Sequence, residues 1–262
     1  MAVLGIITCE ILELEFAQLI GNDPEIGRIS ILQDSHSTRL IELLGADREP
    51  RLHALPHPHA FTPEPDQSLE LLVKVLALGL HRNRKVLGNA LAKWAQALQP
   101  HIDVLLLGYG LCGGALEDAR STLNIDIPLF QPMDSDHPID DCVALCLGGR
   151  ERYYSEQLKM AGTYFLTPGW SHHWGRMLET GSGEVSQPVL KRLLSNYQRA
   201  LLVQSPVVAN DEMQARGAEF GRLTGLNVET ERGNYIPLLQ AWDAAKATIR
   251  PANVSAIQGE AR

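Results

Sequence analysis

No stretch of this chain approaches the roughly 18 uninterrupted apolar residues of a membrane-spanning helix, so no membrane association is expected. An excess of basic charge is missing as well. Lys and Arg number 23 against 31 Asp and Glu, a net charge of −8 with His neutral, which leaves no electrostatic footprint for nucleic acid or an anionic lipid surface. The first residues carry no basic segment ahead of their apolar run and turn acidic at Glu10. They read as a first core strand rather than a signal peptide, with a cytoplasmic location expected. Cysteine is scarce, four in 262 residues, too few for a secreted disulfide framework in a chain this long; reduced thiols are the expectation. Also absent are a Walker loop, a Ser-His-Asp order and a distinctive pair of carboxylates, the usual signatures of phosphotransferases and hydrolases. The spacing G-x-G-x-x-G occurs at Gly108, Gly110 and Gly113 but without a clear acidic ribose partner, so neither NAD nor ATP is indicated.

What is present is an alternation of short β-rich runs with helix-like patterns, the mark of parallel βαβ construction. Strands are expected near 3–8, 28–32, 103–108, 127–130, 163–167, 200–204 and 228–231. Helices are expected at 10–20, 35–44, 67–80, 83–98, 114–122, 138–147, 150–160, 185–199 and 211–224. About seven strands are too few for a (β/α)₈ barrel. The fold class expected is α/β: an open, mostly parallel sheet in a three-layer α/β/α sandwich, divisible into two Rossmann-like halves. Residues 1–250 would form one domain with sub-lobes 1–149 and 150–250, and 251–262 a flexible tail. Four prolines within 50–66, interleaved with His53, His57 and His59, predict an irregular, exposed connection.

Three of the four cysteines follow predicted strands: Cys9 closes the first apolar run, Cys112 sits in Gly108-Tyr-Gly-Leu-Cys-Gly-Gly114, and Cys142 follows the strand at 127–130. In an open parallel sheet the ligand crevice lies outside the carboxyl ends of the strands. Thiols distant in sequence can therefore meet there, and thiolates that meet bind metal or do redox chemistry. The glycines around Cys112, among them Gly110, Gly113 and Gly114, allow close backbone approach to a ligand. If Gly114 opened a helix, its free amides would favour a thiolate at Cys112. In Asp134-Ser-Asp-His-Pro-Ile-Asp-Asp-Cys142, Pro138 suits a first helical position with Asp136 or His137 as cap, and His137 joins Cys142 as a candidate zinc ligand. Cys146, between Leu145 and Leu147, reads as core. The segment from Thr163 to Trp174 predicts a strand running into an aromatic, His-rich loop, in which Trp170, His172, His173 and Trp174 would wall a pocket. Arg150 and Arg152 read as surface charge.

The motifs Gly108-Tyr-Gly-Leu-Cys-Gly113, Asp141-Cys142, Leu147-Gly148 with Arg150-Glu-Arg-Tyr153, Gly162-Thr-Tyr164 and Leu166-Thr-Pro-Gly-Trp170 together resemble the family catalogued as domain of unknown function 1638, known from methanogenic archaea and anaerobic bacteria. Ile7-Thr-Cys-Glu10 and Leu238-Leu-Gln-Ala-Trp-Asp243 resemble its ends. Many of its members occur alongside corrinoid methyltransferase systems, so the resemblance implies one-carbon chemistry. Where the family pattern has a His two residues before the Cys matched by Cys142, this chain has Asp140, with His137 further upstream. The leading expectation is an enzyme whose metal, Zn or Fe, is held by Cys9, Cys112 and Cys142 with His137 or an Asp. Cys112 and His137 would be the catalytic pair, Gly110, Gly113, Gly114 and Trp170 would bind a cofactor such as a corrinoid, and a small molecule or a corrinoid protein would be the partner. The alternatives are a non-catalytic module that binds corrinoid, metal or another small ligand, and a redox-responsive protein in which Cys112 and Cys142 pair.

Overall fold

In the computed structural model, which describes residues 2–45, 49–65, 69–178 and 186–249, the chain opens with β1 (Val3–Cys9), buried along its whole length. A 3₁₀ turn at Glu10–Leu12 leads into α1 (Glu13–Asn22), followed by β2 (Arg28–Leu32), α2 (Thr38–Leu44), β3 (Leu52–Leu55) and β4 (Glu70–Leu76). Then come α3 (Arg84–Leu98), β5 (Val104–Gly108), α4 (Ala119–Leu123) and β6 (Leu129–Phe130). These strands form one parallel sheet in the order β3-β2-β4-β1-β5-β6. Side chains alternate across it: Leu4, Ile6, Val104 and Leu106 face a core under α1, α2 and a later helix, while Val3, Ile7, Cys9, Leu105 and Leu107 face α3 and α4. The result is the expected three-layer α/β/α sandwich.

A small antiparallel hairpin, β7 (Met133–Asp134) with β8 (His137–Pro138), precedes α5 (Cys142–Leu147) and α6 (Arg150–Lys159). A second parallel sheet of three strands follows, built from β9 (Thr163–Leu166), α7 (Pro168–Leu178), α8 (Gln187–Leu193), β10 (Arg199–Gln204), α9 (Asn210–Thr224) and β11 (Asn227–Arg232) in the order β11-β10-β9. The last helix, α10 (Ile236–Ile249), returns to the first sheet, where Leu238, Trp242 and Ala245 are buried in the same core as Ile6 and Phe16. Leu14 of α1 in turn enters the core of the second sheet beside Leu166 and Phe220.

Several expected elements are corrected. The stretch expected as a helix at 67–80 contains β4, a central strand between β2 and β1. Buried on both faces, it carries a continuous Leu/Val run without period-2 alternation, which periodicity cannot separate from a buried helix. Its two charges are satisfied in place: Glu70 accepts the Glu64 amide at 2.6 Å, and Lys74 pairs with Asp34 and lies over the Trp94 ring. The stretch 50–66 holds β3, although His53, His57 and His59 are exposed as expected. The helix expected from Pro138 starts only at Cys142, because Asp141 is its cap: Asp141 Oδ1 accepts the amides of Val143 and Ala144 at 2.8 and 2.9 Å. The aromatic, His-rich segment after Pro168 is the helix α7, not a loop. The expected tail at 251–262 lies outside the described residues. No helix among the described residues is long and apolar enough to cross a membrane.

Candidate functional site

The strand order creates one natural crevice. From β1 the chain leaves toward β2, whereas from its neighbour β5 it leaves in the opposite direction toward β6. Two adjacent parallel strands whose connections diverge form a topological switch point, where α/β proteins bind ligands. Cys9 ends β1, and the loop after β5 carries Cys112.

A cavity of about 310 Å³ lies there. Cys9, Cys112, Cys142, Asp141, Tyr109, His81 and Trp170 line it, with apolar walls that include Ile11, Leu80 and Leu87. Parity accounts for Cys9: its side chain falls on the same face as Ile7, toward α3. The loop of Cys112 is shaped by a strap of chain crossing over it. Leu111 N–H donates to Ile139 O at 2.7 Å and Cys112 N–H to Asp140 O at 2.9 Å. The approach is so close that a Cβ on Gly110 would stand 2.5 Å from Ile139 O. Cys112, Gly113 and Gly114 then take φ of 45°, 68° and 83° in succession. For Cys112 that is a conformation L-residues disfavour, and such strain is concentrated at ligand sites. The same strap continues into α5, whose first residue is Cys142.

The second sheet contributes Trp170. Its Nε1–H donates to Cys142 Sγ at 3.4 Å, and its ring lies 6.1 Å from that of His81. Gly169 makes this docking possible, since a Cβ there would fall 1.9 Å from Ile11 O. Buried charges fix the joint. Glu13 Oε1 meets Arg39 at 2.6 Å and His173 Nε2 at 2.8 Å, and Glu10 pairs with Arg176 at 2.9 Å while accepting the Leu78 amide. Glu10 thereby ties the end of β1 to both the segment bearing His81 and the helix bearing Trp170.

Burial dominates the ionisation of the site. It pushes the Cys9 thiol up to about 11, with Glu10 adding to the shift, and the Cys112 thiol up to about 12, with Cys9 and Asp141 adding. Burial, with Asp141 adding, also raises Cys142 well above the ordinary thiol value, although the Trp170 N–H opposes the shift. Asp141 is raised by burial against the pull of its two helix amides. Burial and then the neighbouring Arg82 lower His81, so its imidazole is neutral. No Lys or Arg lines the cavity. The Tyr109 hydroxyl is buried and outside hydrogen-bonding geometry with any described group, although close enough to Cys9 for each to raise or lower the other's ionisation. The four cysteines are free. Among the described residues no three His, Cys, Asp or Glu side chains already stand as a ligating set.

The other expected site residues fall as follows. His137 lies exposed on the β7–β8 hairpin and is not among the cavity's lining residues; the imidazole found there is His81. Gly113 and Trp170 line the cavity, whereas Gly110 packs under the strap and Gly114 against Glu117 and Arg84. Gly114 opens no helix: α4 begins at Ala119 with Asp118 as cap, so no helix N-terminus assists a thiolate at Cys112. Cys146 is core, its Sγ 3.6 Å from Glu15 Oε1. His173 belongs to the Glu13 pair, and Trp174 packs on Phe220. Arg150 pairs with Asp140, and Arg152 ties α6 to Leu147 O and Glu231. His81, Tyr109 and Asp141 were missed as lining residues. Tyr109 alone had a signal, since it continues the parity of Leu105 and Leu107.

Fold and cavity define a doubly wound α/β protein with a thiol-lined crevice at its switch point. Residues 75–241 match the family described as "Protein of unknown function (DUF1638)", and the chain belongs to that family. No curated protein matches it. A crystal structure of N-acetyl-L-ornithine transcarbamylase aligns over 92% of this chain and 76% of its own, at 14% identity and a TM-score of 0.18, too low a likeness to inform either fold or function.

Proposed function

We propose that the switch-point cavity is a thiolate metal site, for Zn or Fe, at which a small molecule reacts. The observation that supports it is the presence of three thiols from three separate segments on one largely apolar cavity lined by no Lys or Arg. Buried thiols are ordinarily inert filler. Three that share a cavity, one of them on a strained loop, are a donor set matched to a soft or borderline metal. Cys9, Cys112 and Cys142 would hold the ion, with the neutral imidazole of His81 as the nitrogen donor in place of His137. Asp141 is occupied in capping α5. Such an ion supplies Lewis acidity and keeps a thiol or water ionised at neutral pH.

The protein's own contribution is positional. Trp170 N–H points at Cys142 Sγ and stabilises negative charge there. The walls are mostly apolar, and a cavity of about 310 Å³ leaves space beside an ion for a small substrate. Methyl transfer to or from a thiol or a corrinoid fits this arrangement and the family's occurrence beside corrinoid methyltransferase systems. The volume also supports a second reading, a non-catalytic module that binds a small ligand. Metal analysis of anaerobically purified protein tests the proposal: about one Zn or Fe per chain, lost in Cys112→Ser, supports it, whereas no metal with four titratable thiols refutes it.

A further inference from the structure

A second crevice, of about 420 Å³, opens at the carboxyl edge of the smaller sheet. There β10 ends at Gln204 and β11 at Arg232, partners in register, and residues 205–209 lead directly into α9. Ser205, Ala209, Asn210, Arg232 and Gly233 are among its lining residues.

Separate features converge on a negatively charged ligand. α9 has 15 residues, long enough for its aligned peptide dipoles to place partial positive charge at its start. Its cap residue is Ala209, which has no side chain to accept the first amides, and those of Asn210 and Asp211 find no acceptor among the described residues. Ser205 is 4% exposed, and its hydroxyl has no hydrogen-bond partner, an expense that buried polar groups normally avoid. Arg232 brings a guanidinium with no carboxylate partner among the described residues. The acids of the first turn are directed elsewhere: Glu212 pairs with Arg216, Asp211 accepts the Glu212 amide, and neither lines the crevice.

We propose that this crevice is an oxyanion site for the phosphate or carboxylate group of a ligand. The Ser205 hydroxyl and the opening amides of α9 donate hydrogen bonds, and Arg232 supplies the charge. The site is independent of the thiol cavity. The two flank the same short helix: Cys142 begins α5 at the thiols, and Cys146 O near its other end accepts the Asn234 amide at 2.8 Å, next to Gly233.

The test titrates metal-free, full-length protein with inorganic phosphate, following backbone amide resonances of residues 205–212, with acetate and chloride at matched ionic strength. Saturable shifts confined to those residues are expected, weakened about tenfold in Arg232→Gln and severalfold in Ser205→Ala, which removes only an unpartnered hydroxyl. Saturation by phosphate alone assigns a phosphoryl group, and saturation by acetate as well assigns a carboxylate. Shifts that grow linearly and equally with chloride, or saturable binding undiminished in both variants, overturn the proposal.

Discussion

At the proposed site, binding of Zn²⁺ would release protons, and the burial of the thiols predicts how many. With Cys9 pushed up to about 11 and Cys112 to about 12, only about one Cys9 side chain in 10⁴ and one Cys112 in 10⁵ is ionised at pH 7. Burial raises Cys142 well above the ordinary thiol value too. All three thiols are therefore protonated across the neutral range, and each must lose its proton to become a ligand. His81, already neutral, contributes none. The apparent affinity should accordingly rise by about three log units per pH unit between roughly pH 6 and 8, with about three protons released per ion. Calorimetric titration under anaerobic conditions, in buffers of different ionisation enthalpy, counts those protons, and a competing chelator measures the affinity. Cys112→Ser, which loses the ion, should abolish that release. A release of one proton or none, or a count unchanged by that substitution, would refute three-thiolate ligation.

Replacing His81 by Ala should weaken Zn²⁺ binding at least about tenfold, while His137→Ala, on the exposed hairpin, should leave it unchanged; chelator competition on both variants separates the two imidazoles. Gly169→Ala would force a Cβ to within 1.9 Å of Ile11 O, so α7 must shift, and a loss of about 2–3 kcal/mol in urea unfolding is expected. Fluorescence should respond to Zn²⁺ through Trp170, whose N–H faces Cys142 Sγ, and Trp170→Phe should abolish that response without abolishing binding. Burial pushes Glu15 up to about 7 from 4.5, so the folded state holds a proton that the unfolded state has lost. Stability from this group is present below about pH 4.5 and falls as pH rises toward 7, by about 3 kcal/mol in all. Relative to the wild type, Glu15→Gln should be stabilised progressively over that window in denaturant melts; a pH-independent difference would show that Glu15 ionises normally.

The placing of Cys9 and Cys112 on one cavity was legible because it depends on chain order: each follows a strand of the parallel sheet, and the carboxyl ends of neighbouring strands share one edge, whereas Cys142 arrives by the strap after the β7–β8 hairpin, which strand order does not encode. Strands with clear boundaries, such as β1, β5 and β10, were legible for the same local reason. β4 was not, because a strand buried on both faces loses the alternation that distinguishes it from a helix. His81 was hidden by that same error. With 67–80 read as a helix, nothing placed residue 81 at a strand end, and His137 was preferred for its nearness to Cys142 in sequence. The hairpin β7–β8 intervenes and carries His137 to the surface. Cys112 was located correctly but its environment was not, because a run of three left-handed residues replaces the helix start expected at Gly114. Trp170 was singled out for its chemistry, but its contact with Cys142 depends on how the second sheet docks on the first, which local pattern does not encode.

The most direct measurement is X-ray absorption at the Zn edge of anaerobically prepared, Zn-loaded protein. Three-thiolate ligation predicts about three sulfur scatterers near 2.3 Å with one nitrogen or oxygen near 2.0–2.1 Å, a shell lost with the bound ion in Cys142→Ser. A shell of nitrogen and oxygen alone would contradict the proposed site.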